Sequence, residues 1–385
     1  MNLIKYQSII ENSISLVALK GVELTLTIGL IPYLIAKVGM HNYGVYAFAM
    51  AMVLFFVNIL NYGFNLATVR EIAKNKTDVK YLNNIFNEVL SVKLVLFGFL
   101  FGLFLVVVFF VPKFYEYKEL YFYCSLLLFA DLFSLRWFFY GLEKMKYITI
   151  ISLFGNVIFV LLVLQFIEIK SDFVKIPLYE SIGMSLITIV VFLIVVRKFK
   201  FKLNLISLLQ VVRYLKCNFS SFVNLFLPST YNLTIVFVVG LLGVPIQVSL
   251  IQIGLKFTAI FSTLIPILTN VFYPVVNRNK QWMGPMRGVM LFIGVVLTVS
   301  MYVFSDYILS NWIPFENDKD LSNMIDVVKI MSITPLFMAI VSSFGVNGLL
   351  VDAHDKLFSN LTTVSTVSML IAAFIFVPVY PVFGG

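Results

Sequence analysis

Polar and apolar positions in this chain segregate into long blocks rather than alternating with the period of a soluble helix or strand. Apolar runs occupy roughly 12–36, 42–63, 89–112, 119–140, 148–168, 176–197, 215–241, 246–275, 285–308, 325–351 and 357–380. A helix needs about 20 apolar residues to cross about 30 Å of hydrocarbon, so this pattern predicts about eleven membrane-spanning helices. Barrel strands would read as weak alternating segments of about ten residues, and such segments are not seen. The fold class expected is therefore an all-α polytopic membrane protein. Short connections make each span antiparallel to the next.

The basic residues then choose the orientation. Arg70, Lys74, Lys76 and Lys80 follow the second block, Lys144 and Lys146 the fourth, and Arg197, Lys198, Lys200, Lys202, Arg213 and Lys216 separate the sixth from the seventh. Arg278, Lys280 and Arg287 follow the eighth, and all of these share one side if spans alternate. The opposite loop "SNWIPFENDKDLSNMID" carries Glu316, Asp318, Asp320 and Asp326 against Lys319. By the positive-inside rule the N-terminus is cytoplasmic.

Composition agrees: 61% of residues are hydrophobic and 12% charged, far from soluble domains. The net charge of +9 is the mark of cytoplasmic loops rather than of nucleic-acid binding. "MNLIKYQSIIENS" lacks the features of a cleaved signal, so the first span is read as uncleaved. Cys124 and Cys217 show no metal-ligand spacing and read as packing residues, and His41 and His354 fall in loops on opposite faces. No glycine-rich phosphate loop or enzyme constellation is present, and neither cofactor nor metal is expected.

The long basic connection divides the chain in half, and a faint repeat runs across it. Gly39 matches Gly243, a shift of 243 − 39 = 204. The same shift aligns "KNK" (74–76) with "RNK" (278–280), Gly141 with Gly345, and "LFGN" (153–156) with "LFSN" (357–360). Six spans per unit give two halves of like orientation, related by an axis along the membrane normal. Residue 385 − 204 = 181 is Ser181, near the start of the sixth span, so the second half is expected to stop short of its own sixth helix. The domains expected are a six-helix bundle over 1–200, a basic cytoplasmic linker over 201–216, and a second bundle over 217–385 with five of six helices.

Charges deep in spans are costly, about 2.5 to 3.5 kcal/mol at a helix centre, and usually face a bundle interior or a wet cavity. Lys20 and Glu23 share one helix face. They form either a packing ion pair or part of a cavity lining, and the repeat makes Asn224 the position equivalent to Lys20. Lys256 has no acid three or four positions away on its helix, which favours an anion-facing role. Asp131 is either a neutral interhelical acid or a coupling site for protons or sodium. Arg136, Lys93 and Lys329 lie nearer span ends and are expected to snorkel. Asn58, Asn61 and Asn65 fall near one stripe of the second span, suited to sugar hydroxyls or to interhelical bonds. Pro32, Pro228, Pro266 and Pro335 interrupt spans and permit bends.

"IPYLIAKVGMHNYGVYAFAM" with "NYGFNLATVREIAKNK" resembles the opening of the bacterial polysaccharide flippases of the O-antigen type. "FFYGLEKMKYITIIS" is similar to their fourth-span exit, and "LIPILTNVFYPVVNRNK" to their eighth-span segment. The resemblance runs through essentially the whole chain and rests on motif order. It implies two six-helix bundles around a central cavity in the bacterial inner membrane. It also implies movement of an undecaprenyl-pyrophosphate-linked oligosaccharide from the inner to the outer leaflet, without enzymatic chemistry. Membrane lipids, a polysaccharide polymerase and a chain-length regulator are the partners implied, with a proton or sodium gradient as the energy source.

On this reading Lys20, Lys256 and Arg136 draw the anionic headgroup, Glu23 and Asp131 are candidates for ion coupling, and Asn58, Asn61, Asn65 and Asn224 are candidates for sugar contact. A multidrug exporter of the same architecture is the alternative, although organic cations call for acidic cavity residues. A membrane glycosyl polymerase would need a large external loop, and the longest one here is short.

Overall fold

Helix starts and stops follow local chemistry. In the computed structural model, which describes residues 3–377, α1 (Leu3–Leu60) holds the first two apolar blocks. Gly39 interrupts it with φ 80° and ψ 162°, a conformation that favours glycine. The next helix is α2 (Ala67–Lys74), and α3 (Val79–Phe110) follows. Asp78 caps α3, its carboxylate accepting from the Tyr81 amide at 3.0 Å. Then come α4 (Pro112–Tyr115), α5 (Lys118–Leu132), α6 (Arg136–Gly141), α7 (Met145–Phe166), α8 (Ile176–Phe199) and α9 (Leu208–Leu242).

Beyond them lie α10 (Pro245–Ser262), α11 (Leu264–Arg278), α12 (Met283–Trp312), α13 (Asp318–Met331), α14 (Thr334–Ile340), a π-helical segment (Val341–Leu349) and α15 (Asp355–Phe376). Over the described residues, each of the eleven apolar blocks falls on one of these helices or on two or three consecutive ones. Among the described residues there is no strand, and nine helical stretches are long and apolar enough to cross a membrane. The chain is a multi-pass, all-α membrane protein.

Two of the expected proline interruptions are real breaks. Pro266 sits in the first turn of α11, just after Thr263 separates it from α10, and Pro335 opens α14. First-turn positions need no amide donor, so proline is tolerated there while the preceding helix ends. Pro32 stays within α1.

Contacts divide the chain into two units. The first comprises residues up to Leu26 with Phe48–Leu233, and the second Thr27–Ala47 with Thr234 onward. The first is built on a large aromatic core in which Phe86 meets Trp137, Phe138, Phe192 and Phe201 at 4.9–6.1 Å between ring centres. In the second, Gly44 allows the 27–47 segment to lie directly on Pro245, since a Cβ there would fall 1.8 Å from the proline carbonyl. The Ser249 hydroxyl donates to the Met40 carbonyl beside it.

The 201–216 stretch, expected as a linker, is strapped into the first unit. α8 ends on Lys200 at φ 53°, after which Phe201 enters the core. Asn83, Asn87 and Ser91, one turn apart on α3, then bind the extended chain. The Lys202 and Asn204 amides donate to the Asn83 and Asn87 side-chain oxygens at 2.9 and 3.1 Å. Ile206 donates to the Ser91 hydroxyl at 3.0 Å, and the Asn87 amide donates to the Lys202 carbonyl at 2.8 Å. Side chains thus replace the ladder that an isolated extended segment lacks.

Candidate functional site

The first unit contains a cavity of about 350 Å³. Three pieces of chain make it: the end of α1 with the turn after it, the break between α5 and α6, and the middle of α9. Asn58, Asn61, Asn65, Asp131 and Arg136 all line it, so five of the candidates read from the sequence meet at one place. Phe222, Leu225 and Phe226 supply an apolar wall.

Asn58 stands in the last turn of α1, while Asn61 and Asn65 are positioned by a turn beyond it and not by helix continuing through the 42–63 block. Helix α1 ends at Leu60, and Tyr62 and Gly63 both take positive φ, 30° and 74°. Gly63 is required by close approach as well, because a Cβ would lie 2.7 Å from the Phe222 amide nitrogen. Tyr62 clamps the turn to α9 by stacking on Phe222 at 4.7 Å and donating its hydroxyl to the Leu215 carbonyl at 3.0 Å. A second clamp joins the Thr68 and Tyr214 hydroxyls at 2.9 Å. The Asn61 amide donates to the Val57 carbonyl of its own helix at 3.0 Å, and Asn61 lines the cavity.

Beneath this cavity lies a residue expected to snorkel. Lys93 is 1% exposed. The expectation fails because the apolar block begins at 89 but α3 begins at Val79, so Lys93 sits 93 − 79 = 14 residues in, about 21 Å along the helix. Its ammonium is 2.7 Å from the Asp131 carbonyl oxygen, 3.2 Å from the Asp131 carboxylate and 3.5 Å from the Ser134 carbonyl. The two carbonyls belong to the break where α5 ends, the negative end of its dipole. Burying an ammonium costs several kcal/mol unless charge and hydrogen bonds offset it, and the break provides both.

Asp131 is therefore half of a buried pair and not a lone acid. Arg136, one residue past the break, is exposed to the cavity and has no carboxylate or hydrogen-bond partner among the described residues. The arrangement can hold an anion against Arg136 while asparagine amides offer donors and acceptors to a hydroxylated ligand.

The remaining candidates lie elsewhere. Lys256 is half-buried on α10 in the second unit and does not line this cavity. The side chains of Lys20, Glu23 and Asn224 lie outside the described residues. Lys329 lies in the last turn of α13, within the 318–349 span, and pairs with Asp306 at 2.9 Å. Sequence reasoning missed Lys93 and the Tyr62 clamp. The signal available for Lys93 was its pairing potential: a base inside the third apolar block and an acid, Asp131, deep in the fourth.

The family model for polysaccharide biosynthesis proteins matches residues 9–280. A curated protein of Escherichia coli (strain K12) named "Putative O-antigen transporter" is 24% identical over 372 residues, covering 95% of this chain and 89% of that one. One of the same name from Shigella dysenteriae is 28% identical over 193 residues, half of this chain and 48% of that one. Among solved structures, the lipid II flippase MurJ in an inward closed conformation superposes with TM-score 0.72 at 15% identity, over 97% of this chain and 83% of that one. An inward-facing multidrug resistance transporter of the MATE family in the MOP superfamily gives 0.67 at 14% identity, over 96% and 89%. These two likenesses show a shared transporter fold. With more than two thirds of its length matched by the family model, the chain belongs to the polysaccharide biosynthesis protein family.

Proposed function

We propose that this protein translocates an undecaprenyl-pyrophosphate-linked oligosaccharide from the cytoplasmic to the outer leaflet of a bacterial inner membrane, by alternating access and without covalent chemistry on the substrate. The observation that carries this reading is the cavity of the first unit. There Arg136 is a cation without a carboxylate partner among the described residues, Asp131 is neutralised from below by Lys93, and Asn58, Asn61 and Asn65 stand beside them. A pyrophosphate suits the guanidinium, and sugar hydroxyls suit the amides. The O-antigen transporter relatives and the flippase fold neighbour support the same substrate class.

Arg70 and Lys74 follow Asn65 along the chain, and Lys144 and Lys146 follow Arg136, in loops that positive-inside logic makes cytoplasmic, the side on which such substrates are assembled. Lys20 and Lys256 are further headgroup candidates, and Glu23 joins Asp131 as a coupling candidate for a proton or sodium gradient. A polymerase and a chain-length regulator would take up the product.

Deleting the gene in its host and measuring lipid-linked oligosaccharide together with surface polymer tests this. Accumulation of the first and loss of the second, both reversed by the wild-type gene but not by Arg136→Ala, is the expected result. Unchanged surface polymer with accumulation of cationic drugs would instead establish the exporter reading.

A further inference from the structure

Two oppositely charged groups border the cavity, Asp131 and Arg136, yet only one of them has a buried partner. The side chain of Asp131 is 17% exposed and that of Lys93 is 2% exposed, so the pair is nearly dry on the lysine side and open to the cavity on the carboxylate side. Without Lys93 the carboxylate would stand five residues from Arg136 along the chain, at the rim of the same small space. It would then be free to pair with the guanidinium or to repel an incoming anion. With Lys93 in place, the carboxylate charge is balanced from beneath.

We infer that Lys93 is a positioning residue that sets the charge selectivity of the cavity: by holding the Asp131 carboxylate and the α5–α6 break, it leaves Arg136 available to a pyrophosphate headgroup that Lys93 itself never touches. This rests on the reading of the cavity given above and adds a residue to it. Three contacts give Lys93 two separable jobs. The bonds to the Asp131 and Ser134 carbonyls hold the backbone of the break, while the contact with the carboxylate balances charge. Selectivity depends on the second.

The two jobs can be separated with inorganic pyrophosphate as probe, titrated calorimetrically into the purified full chain in lipid nanodiscs, with thermal unfolding recorded for each variant. Lys93→Met removes both jobs and is expected to weaken pyrophosphate binding about tenfold, the scale of one uncompensated charge within a few ångströms of the site. Lys93→Met combined with Asp131→Asn still lacks the carbonyl contacts but restores charge balance, and is expected to recover binding to within about threefold of wild type. Asp131→Asn alone keeps the lysine and is expected to tighten binding several-fold, which guards against a poorly folded Lys93→Met.

A double variant as weak as Lys93→Met, or an Asp131→Asn variant that binds more weakly than wild type, would reduce Lys93 to a backbone support and overturn the inference. Arg136→Ala distinguishes the two levels. If it abolishes binding while Lys93→Met does not weaken it, the cavity reading stands and only the inference falls. If Arg136→Ala binds as wild type does, both fall together.

Discussion

The two units share a plan and differ in what they place at its centre. Helix α12 begins 283 − 79 = 204 residues after α3, the offset of the sequence repeat. Each unit also ties corresponding loops with an exposed ion pair, Lys76 with Glu143 in the first and Lys280 with Asp352 in the second. At the offset of 204, however, Asn58, Asn61 and Asn65 become Ser262, Ile265 and Thr269, and Lys93 becomes Leu297. Ile265 is fully buried in an apolar cluster with Met290 and Ala339, and Leu297 packs against it. The Ser262 and Thr269 hydroxyls turn back to carbonyls of their own helices, each at 2.7 Å.

No charged residue occurs between Met331 and Val351, the region that corresponds to Asp131 and Arg136. The first unit thus places charged and amide side chains around a cavity where the second, at the matched positions, has an apolar cluster. The difference teaches that a common offset in helix placement can be kept while a handful of inward positions change the chemistry at the centre.

The strongest way to break the comparison is to impose the first unit's chemistry on the second. Leu297→Lys places an ammonium in the apolar cluster with no acid supplied, and should destabilise by about 3–5 kcal/mol, the cost of an unpaired buried charge. Thermal unfolding in detergent and the level of protein in the membrane measure this, and a neutral outcome would mean that the cluster is wet. Next, Asn87→Ala removes two of the three side-chain bonds that hold residues 202–204, leaving the one from the Lys202 amide to Asn83, and should cost about 2 kcal/mol. Hydrogen exchange should rise first at residues 202–206, and unchanged exchange there would show that the strap holds without it.

A functional contrast comes third. Arg136→Ala should reduce surface polymer at least tenfold at equal protein level, about 1.4 kcal/mol, whereas Ile340→Ala at the corresponding place should change it less than twofold. Equal effects would mean that the second unit contributes a comparable site. The smallest effect concerns the Lys280–Asp352 pair. The hydrogen bond and charge of Lys280 hold the Asp352 carboxyl below its ordinary value. A carboxyl depressed in the folded state contributes stability above the unfolded value, near 4. That contribution is lost as the pH falls through the folded value, so acidification from pH 6 to 3 should loosen the 341–349 segment only slightly, since exposed pairs contribute little. Asp352→Asn should remove the pH dependence of exchange there, and persistence of that dependence would assign it to another group.

Hydropathy along the chain by itself determined the spans, because the energy of crossing a bilayer is nearly additive over consecutive residues. The repeat was legible for a similar reason, since a constant offset survives divergence. Five of the cavity residues could also be chosen in advance, because a polar group deep in an apolar block is costly enough to need a reason. What the sequence could not show was pairing. Lys93 and Asp131 are 131 − 93 = 38 residues apart, and only the packing of α3 beside the break after α5 brings them within 3.2 Å. Nor could it show that 201–207 lies strapped along α3, or that Asn61 to Leu66 form a turn clamped by Tyr62. Those are choices among contacts between segments distant in sequence, decided by which polar groups could be satisfied once the helices had packed.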